Sequence, residues 1–226
     1  MRYVPLIMKG LFVLAACLTL ISSKGVAQSL IPFDFSSEDD NRLIKETDSL
    51  KYYVASGDST NIVCMDEENS FYKLLSRDHK LLAEGAFIVD GDKFLQDGKW
   101  VERFITGKLK KEGYYRKNIP IGTWEEFYSN GKLKQVSNYA IFTGEHGDVT
   151  SCLSGTYKEF FENGQLKING FYSAALEKAA DTMYVDDPVS GKTVVKYMQH
   201  NEYRPEKTSH WEYYTEDGEL DKKDDY

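Results

Sequence analysis

Five segments of the chain repeat the same spacing of four positions. Each opens with an aromatic residue, reaches a turn position seven residues later, carries a leucine two residues after the turn, and closes with a second aromatic fifteen residues after the first. The opening aromatics are Tyr72, Trp100, Trp124, Tyr157 and Trp211, and the closing ones are Phe87, Tyr115, Tyr139, Tyr172 and Tyr226. Such a fixed period is typical of repeat proteins, in which neighbouring units bury one another's apolar faces.

The turn position of each unit predicts a β-hairpin. The turn residues are His79, Gly107, Gly131, Gly164 and Gly218, and the leucines of the last four units are Leu109, Leu133, Leu166 and Leu220. Asn-Gly and Asp-Gly pairs favour two-residue turns, in which both central residues have φ above zero. Aromatic and β-branched residues alternate on either side, as in strands. The sequence therefore predicts a mainly β fold, an elongated antiparallel meander of hairpin repeats.

A two-residue turn also predicts the strand register. It places opening aromatics opposite small residues, in the pairs Trp100–Gly113, Trp124–Ser137 and Tyr157–Gly170, and nearer the turn it pairs Phe104, Tyr128 and Phe161 with Leu109, Leu133 and Leu166. A large ring beside a position without a side chain covers the exposed backbone there. The opening and closing aromatics, the turn glycines, the leucines and Gly85, Gly113 and Gly170 form the predicted repeat core.

Two of these segments resemble a known repeat. Gly122-Thr-Trp-Glu-Glu-Phe-Tyr-Ser-Asn-Gly-Lys-Leu-Lys and Gly155-Thr-Tyr-Lys-Glu-Phe-Phe-Glu-Asn-Gly-Gln-Leu-Lys are similar to the bacterial variant of the MORN repeat found in YwqK-type proteins, and Gly98-Lys-Trp follows the same pattern. The resemblance covers roughly residues 70–172 and 209–226. It implies a meander of β-hairpins that serves as a scaffold or contact surface. Some relatives look like antitoxins of toxin–antitoxin pairs.

Residues 1–27 have the anatomy of a cleaved signal peptide. Arg2 and Lys9 precede an apolar run over 11–21, which is too short to span a bilayer, and small residues precede Gln28. In the alternative reading, the stretch ending at Cys17 is a bacterial lipobox and Cys17 carries a lipid anchor. Both readings predict an exported protein, in the periplasm or outside the cell, without a membrane span in the mature chain.

Charge and cysteine content narrow the choice of function. The formal net charge of −8 disfavours non-specific binding to nucleic acid. The cysteines and histidines show no metal-ligand spacing, so no metal and no cofactor is predicted. After removal of 1–27, Cys64 and Cys152 remain. Export makes a disulfide between them plausible, and two buried free thiols are the alternative.

Three stretches lie outside the repeats. Residues 28–70 form an N-terminal section, with a short helix predicted over 36–50 and strands over 51–56 and 61–65. Insertions at 141–154 and 173–209 interrupt the five units of 71–226, and the second is predicted to hold a helix over 174–180 followed by strands at 183–185 and 193–198. Insertions in repeat proteins often carry the function.

No catalytic residue is predicted. Glu145-His146-Gly147-Asp148 could bind a metal or hold a general base, but one Gly-rich loop without further convergent groups favours a solvated loop. His79, His200 and His210 fit surface positions. Glu102, Glu126 and Glu159 occupy equivalent slots on the aromatic face, either as an acidic ladder for a cation or basic peptide or as cross-strand partners of lysines, which is the favoured reading.

These features predict an exported, non-enzymatic β-repeat protein that acts as an interaction scaffold in the cell envelope. Its partner would be a protein, bound through strand edges, aromatic stripes and the two insertions. One alternative is an antitoxin or immunity protein that neutralises an exported toxin. A second is a glycan-binding or hydrolytic envelope protein that uses the 141–154 loop.

Overall fold

One antiparallel sheet makes up the described structure. The computed structural model describes residues 41–226 except 48–49, 56–57, 92, 145–146 and 187–191. Its sheet has 13 strands, and every strand pairs with its neighbours in sequence. The strands are β1 (Asn41–Glu46), β2 (Leu50–Ala55), β3 (Asp58–Asp66), β4 (Phe71–Ser76), β5 (Leu81–Asp90), β6 (Lys93–Arg103), β7 (Leu109–Arg116), β8 (Ile119–Phe127), β9 (Leu133–Thr143), β10 (Val149–Phe160), β11 (Leu166–Asp186), β12 (Thr193–Tyr214) and β13 (Leu220–Asp225).

Each repeat unit coincides with one hairpin of the sheet. The five hairpins are β4–β5, β6–β7, β8–β9, β10–β11 and β12–β13, and the turn position of each unit lies between its two strands. The predicted mainly β meander is confirmed. It forms because a lone hairpin is marginal in water, whereas consecutive hairpins pair edge to edge and share one apolar face.

The hairpin turns are longer than predicted. In the third unit, the Gly131 N–H donates to the Tyr128 carbonyl and the Tyr128 N–H donates to the Lys132 carbonyl. The loop therefore has three residues: a type I turn followed by Gly131 in the left-handed region at φ 92°, the arrangement that forms a G1 bulge. Asn130 keeps a negative φ, so the prediction that both central residues need a positive φ is wrong.

The bulge changes the register only beside the turn. Leu133 pairs with Phe127 rather than Tyr128, and the other two hairpins compared show the same shift, in the pairs Arg103–Leu109 and Phe160–Leu166. The predictions for Phe104, Tyr128 and Phe161 are therefore wrong. Beyond the bulge the predicted pairs Trp100–Gly113, Trp124–Ser137 and Tyr157–Gly170 are confirmed, because the bulge absorbs the extra loop residue.

The N-terminal section is a part of the same sheet. The helix predicted over 36–50 is wrong where the structure describes it, because 41–46 forms β1 and pairs with β2. Residues 36–40 of that prediction, together with 1–27 and Cys17, lie outside the described residues. The predicted strands at 51–56 and 61–65 correspond to β2 and β3. The helix signal was only local, at the capping residues from Ser36 on, and pairing of β1 with β2 determines the structure here.

The second insertion is a long hairpin. The helix predicted over 174–180 is wrong, because β11 continues without a break to Asp186. The strands predicted at 183–185 and 193–198 are confirmed as the ends of β11 and β12. The first insertion, 141–154, likewise consists of the end of β9 and the start of β10 around a tip.

The core lies along one face of the sheet. Its largest cluster joins residues of β3 to β8: Val63, Met65, Tyr72, Leu74, Ala83, Phe87, Trp100, Tyr115 and Trp124. Trp211, in the last hairpin, is buried as well. Within the described residues, no helix has the length and apolarity needed to cross a bilayer.

Candidate functional site

Tryptophan rings lie flat over glycines of the preceding strand. A Cβ atom added to Gly85 would lie 2.4 Å from the Trp100 ring, and one added to Gly113 would lie 2.1 Å from the Trp124 ring. Gly170 and Trp211 repeat the arrangement at 2.4 Å. The predicted cover of glycine by a ring is confirmed, but the glycine belongs to the preceding hairpin. Each tryptophan therefore ties two repeat units together.

The closing aromatics fill the spaces between these rings. Tyr115 lies between Trp100 and Trp124, with ring centroids 6.2 and 4.9 Å away and edge-to-face geometry in both contacts. Tyr172 makes the equivalent contact with Trp211 at 4.9 Å. Burial raises the pKa of Tyr115 to about 12. The aromatic row is thus the core of the sheet, and its buried tryptophans cannot be the partner-binding stripe that the sequence suggested.

Some predicted core positions are exposed. Leu220 and Tyr226 are 56% and 59% exposed, because β13 is an edge strand of the sheet. Leu109, Leu133 and Leu166 are half-buried, and the turn glycines Gly107, Gly131, Gly164 and Gly218 lie in solvent. Near the exposed end of the row, the Lys207 ammonium lies 4.1 Å from the Trp211 ring centroid and places a charged group there.

The two cysteines of the described chain are free and buried. Cys64 lies on β3 and Cys152 on β10, and six strands, β4 to β9, separate them in the sheet. A disulfide requires Cα atoms within about 7 Å. Of the two readings left open by the sequence, the intramolecular bridge is therefore excluded and two free buried thiols are present. Burial raises the pKa of both thiols, which makes them poor nucleophiles.

The three glutamates lie in one row and pair with lysines. Glu126 contacts Lys111 at 3.1 Å and Lys134 at 3.5 Å, and Glu102 contacts Lys110 at 3.5 Å. Burial raises the pKa of Glu102. Burial acts the same way on Glu126, but its two lysines outweigh that effect and hold its pKa below the ordinary value.

The favoured cross-strand reading therefore describes this row. Glu159 contacts Lys167 at 3.5 Å and also accepts a hydrogen bond from the Tyr157 hydroxyl. A groove of about 450 Å³ lies beside two of the three glutamates, lined among others by Glu102, Phe104, Glu126, Tyr128, Lys110 and Lys134. Its acids and lysines neutralise one another, so the groove offers no charge to attract a cation or basic peptide.

The three described histidines lie at separate positions of the sheet. His79 occupies the turn of the first hairpin at φ 60°, while His200 lies 3.6 Å from Asp181 and His210 contacts Asp225. In the loop, Gly144 donates to the Asp148 carbonyl, and residues 145–146 lie outside the described part. Among the residues that the structure describes, no cluster of three or more potential ligands could hold a metal ion.

The turn asparagines link successive hairpins, which the sequence analysis missed. The Asn130 side-chain oxygen accepts from the Lys132 N–H at 2.8 Å, and its amide donates to the Glu162 carbonyl of the next turn at 3.0 Å. Asn163 repeats this with the Gln165 N–H at 2.8 Å and the Glu216 carbonyl at 2.7 Å. Asparagine is therefore required for the donor that reaches the neighbouring turn, beyond its ability to form turns.

We expect Asn163→Asp to lower the free energy of unfolding by about 1 kcal/mol or more. Aspartate keeps the oxygen that caps the turn but loses the donor to the Glu216 carbonyl and sets a charge beside it. The matched control is Asp217→Asn at the equivalent position of the last turn, where the change should stay within about 0.5 kcal/mol. Urea unfolding of both variants measures the difference, and equal effects would contradict the link between turns.

A two-stranded ribbon projects from the sheet. Beyond Tyr172, β11 no longer pairs with β10, and before His210, β12 does not pair with β13. Over this stretch the two strands pair with each other without interruption, out to the pair Asp186–Thr193. At its base, Tyr203 of β12 stacks on Phe142 of β9, with centroids 4.3 Å apart. The two predicted insertions thus meet, and the ribbon continues outward from this contact.

The ribbon has two unlike faces. Strand alternation places Leu176 opposite Tyr203, Thr182 opposite Tyr197, and Tyr184 opposite Val195 on one face, which we call the apolar ribbon face. Its outer side chains are strongly exposed: Leu176 by 55%, Tyr184 by 74%, Val195 by 47% and Tyr197 by 74%. An apolar surface of this kind marks an interaction site in soluble proteins.

The opposite face carries charges that pair with one another. His200 lies 3.6 Å from Asp181 and 3.9 Å from Glu202, and Arg204 contacts Glu177 at 3.7 Å and also Glu202. Met183 lies on this side nearer the tip and is 43% exposed. The β-branched and aromatic residues at 183–185 and 193–198 were the sequence signal for the outer part of this ribbon, whereas the alanines at 174–180 favoured a helix.

Comparison with protein families finds a match over two of the hairpins. A family model described as "MORN repeat variant" matches residues 120–140 and 153–174, within the β8–β9 and β10–β11 hairpins. These two stretches are therefore similar to MORN repeats, and Trp124 of the first lies over Gly113 as Trp100 and Trp211 lie over Gly85 and Gly170. No curated protein and no solved structure matched the chain in the corresponding searches.

Proposed function

We propose that this protein is a non-enzymatic scaffold of the bacterial cell envelope that binds a protein partner through its projecting ribbon. The observation that carries the proposal is the apolar ribbon face, whose Tyr184 and Tyr197 are each 74% exposed. MORN repeats generally act in interactions, and the repeat core here is occupied in holding the hairpins together. Export rests on the signal anatomy of residues 1–27.

The chemistry of the described residues supports a binding role. The glutamates of the aromatic face pair with lysines, and the buried thiols have raised pKa values. The apolar ribbon face, in contrast, presents hydrophobic side chains on a strand pair whose base contacts β9 through the Phe142–Tyr203 stack. Exposed tyrosines on a strand supply large contact area at small entropic cost.

Affinity capture from the protein's own cell extract tests this proposal. We expect the wild-type protein to enrich a specific envelope protein, and Tyr184→Asp to reduce that enrichment at least about tenfold, because a charge on the apolar face opposes desolvation. The matched control is Val89→Asp, since Val89 is 58% exposed on β5, away from the ribbon.

Two results would contradict the proposal. One is a partner that Tyr184→Asp captures as well as the wild type does, which would move the binding surface elsewhere. The other is the absence of any partner other than a further copy of this chain. Far-UV circular dichroism of each variant confirms that the sheet is retained, as expected for substitutions at exposed side chains.

A further inference from the structure

We propose that the apolar ribbon face packs against the same face of a second copy of this chain, related by a two-fold axis near the Thr182–Tyr197 pair. This inference concerns the same ribbon as the proposed function, and a second copy would occupy the face that the proposed function gives to another protein. A two-fold axis brings one patch onto itself, so the apolar ribbon face of one copy meets the same face of the other. In this arrangement the ribbons run antiparallel and Tyr197 of each copy lies near the axis.

The exposed area is sufficient for such a contact. Tyr184, Val195 and Tyr197, which lie closest to the axis, together expose on the order of 450 Å² in one copy, given their exposed fractions and the usual size of these side chains. Two copies packed face to face would therefore bury on the order of 1,000 Å², which is the lower bound for specific association. The expected dimer is accordingly weak and concentration-dependent.

The charge distribution suits this occupant. From the Ala174–Pro205 pair to the Tyr184–Val195 pair, the apolar ribbon face carries one charged residue, Lys178. Lys178 lies four residues from the axis, or about 13 Å, so the lysines of two copies would be about 26 Å apart. That separation exceeds the Debye length of about 8 Å at physiological salt, and their repulsion is screened.

The charges on the other ribbon face do not oppose the association of two copies. Asp181, Glu202 and Arg204 lie on that face, where His200 and Arg204 pair with the acids. These charges stay in water when the apolar faces meet, so none of them needs to be buried.

Sedimentation equilibrium tests the proposal. The protein is purified from its own cells, so that it carries whatever processing it undergoes there. We expect a reversible wild-type dimer, and we expect Tyr197→Lys and Tyr197→Glu each to raise the dissociation constant at least about tenfold, because like charges then meet near the axis. An equimolar mixture of the two variants should recover association, since a lysine and a glutamate then face each other.

The matched control is Met183→Lys, which adds the same charge to the opposite face of the same ribbon and should leave the dissociation constant unchanged. A wild type that remains monomeric at about 100 µM overturns the proposal. Three other results also overturn it. The dissociation constant could be unchanged in Tyr197→Lys, or it could rise as much in Met183→Lys as in Tyr197→Lys. The third is a mixture of the two Tyr197 variants that stays monomeric.

This experiment fails independently of the proposed function. A monomeric wild type that still captures an envelope protein through Tyr184 removes self-association and leaves the scaffold role intact. A dimer that captures no other protein retains the two-fold contact and removes the scaffold role.

Discussion

Trp124→Ala should lower the free energy of unfolding by about 3–5 kcal/mol. The ring is 3% exposed, makes an edge-to-face contact with Tyr115 at 4.9 Å and covers the backbone at Gly113. Its removal leaves a cavity in the centre of the aromatic row and uncovers the backbone of β7. Urea unfolding measures the loss. A change below about 1 kcal/mol would mean that the ring contributes little to the core.

Replacement by phenylalanine separates ring packing from hydrogen bonding. The Trp124 indole N–H is buried without a hydrogen-bond acceptor, whereas the Trp100 indole N–H donates to the Ala86 carbonyl at 2.8 Å. We therefore expect Trp100→Phe to be more destabilising than Trp124→Phe, by about 1 kcal/mol. Equal losses would show that the hydrogen bond to Ala86 adds nothing to ring burial.

The architecture was predictable because the repeat imposes it five times. The spacing from Trp100 to Gly107 to Tyr115 fixes strand length and turn position, and the pairs beyond each bulge follow from strand alternation. The same redundancy made the tryptophans recognisable as core residues, since Trp100 and Trp124 each lie opposite a small residue.

Features without a second copy in the chain were not predictable in this way. The run of alanines over 174–180 has helical propensity, yet it pairs along its whole length with 199–205, a partner that local sequence does not reveal. The Cys64–Cys152 pairing depended on the order of strands across the sheet, and the meander keeps β3 and β10 apart. The loop length is a different case: the same loop recurs in every unit, but Asn-Gly suits both two- and three-residue turns, so repetition did not reveal its length.

Within the aromatic row, the size of each opening ring decides which residue can lie beside it on the preceding strand. Glycine stands before every tryptophan of the row, in the pairs Gly85–Trp100, Gly113–Trp124 and Gly170–Trp211. Beside the tyrosines, the preceding strand carries residues with side chains: Ser137 pairs with Tyr157, and Met65 pairs with Tyr72. The bicyclic ring lies flat on the neighbouring backbone, where a Cβ atom would lie, so only glycine fits.

Gly113→Ala should therefore destabilise the protein by about 3 kcal/mol, at the upper end of the usual cost of overpacking. The new methyl group would lie 2.1 Å from the Trp124 ring, a contact that forces the ring or the β7 backbone to move. The cost arises from this contact and not from backbone strain, because Gly113 does not have a positive φ. Ser137→Ala, at a position in the same row that already carries a Cβ atom, should cost only about 1 kcal/mol.

A double-mutant cycle isolates the contact. In a Trp124→Leu background the bicyclic ring is gone, so Gly113→Ala should cost less than about 1 kcal/mol, and the two effects should be non-additive by about 2 kcal/mol. Additive losses would mean that Gly113 is required for the backbone of β7 alone. The interaction energy from this cycle measures how strongly one repeat unit is coupled to the next, because Gly113 and Trp124 belong to different hairpins.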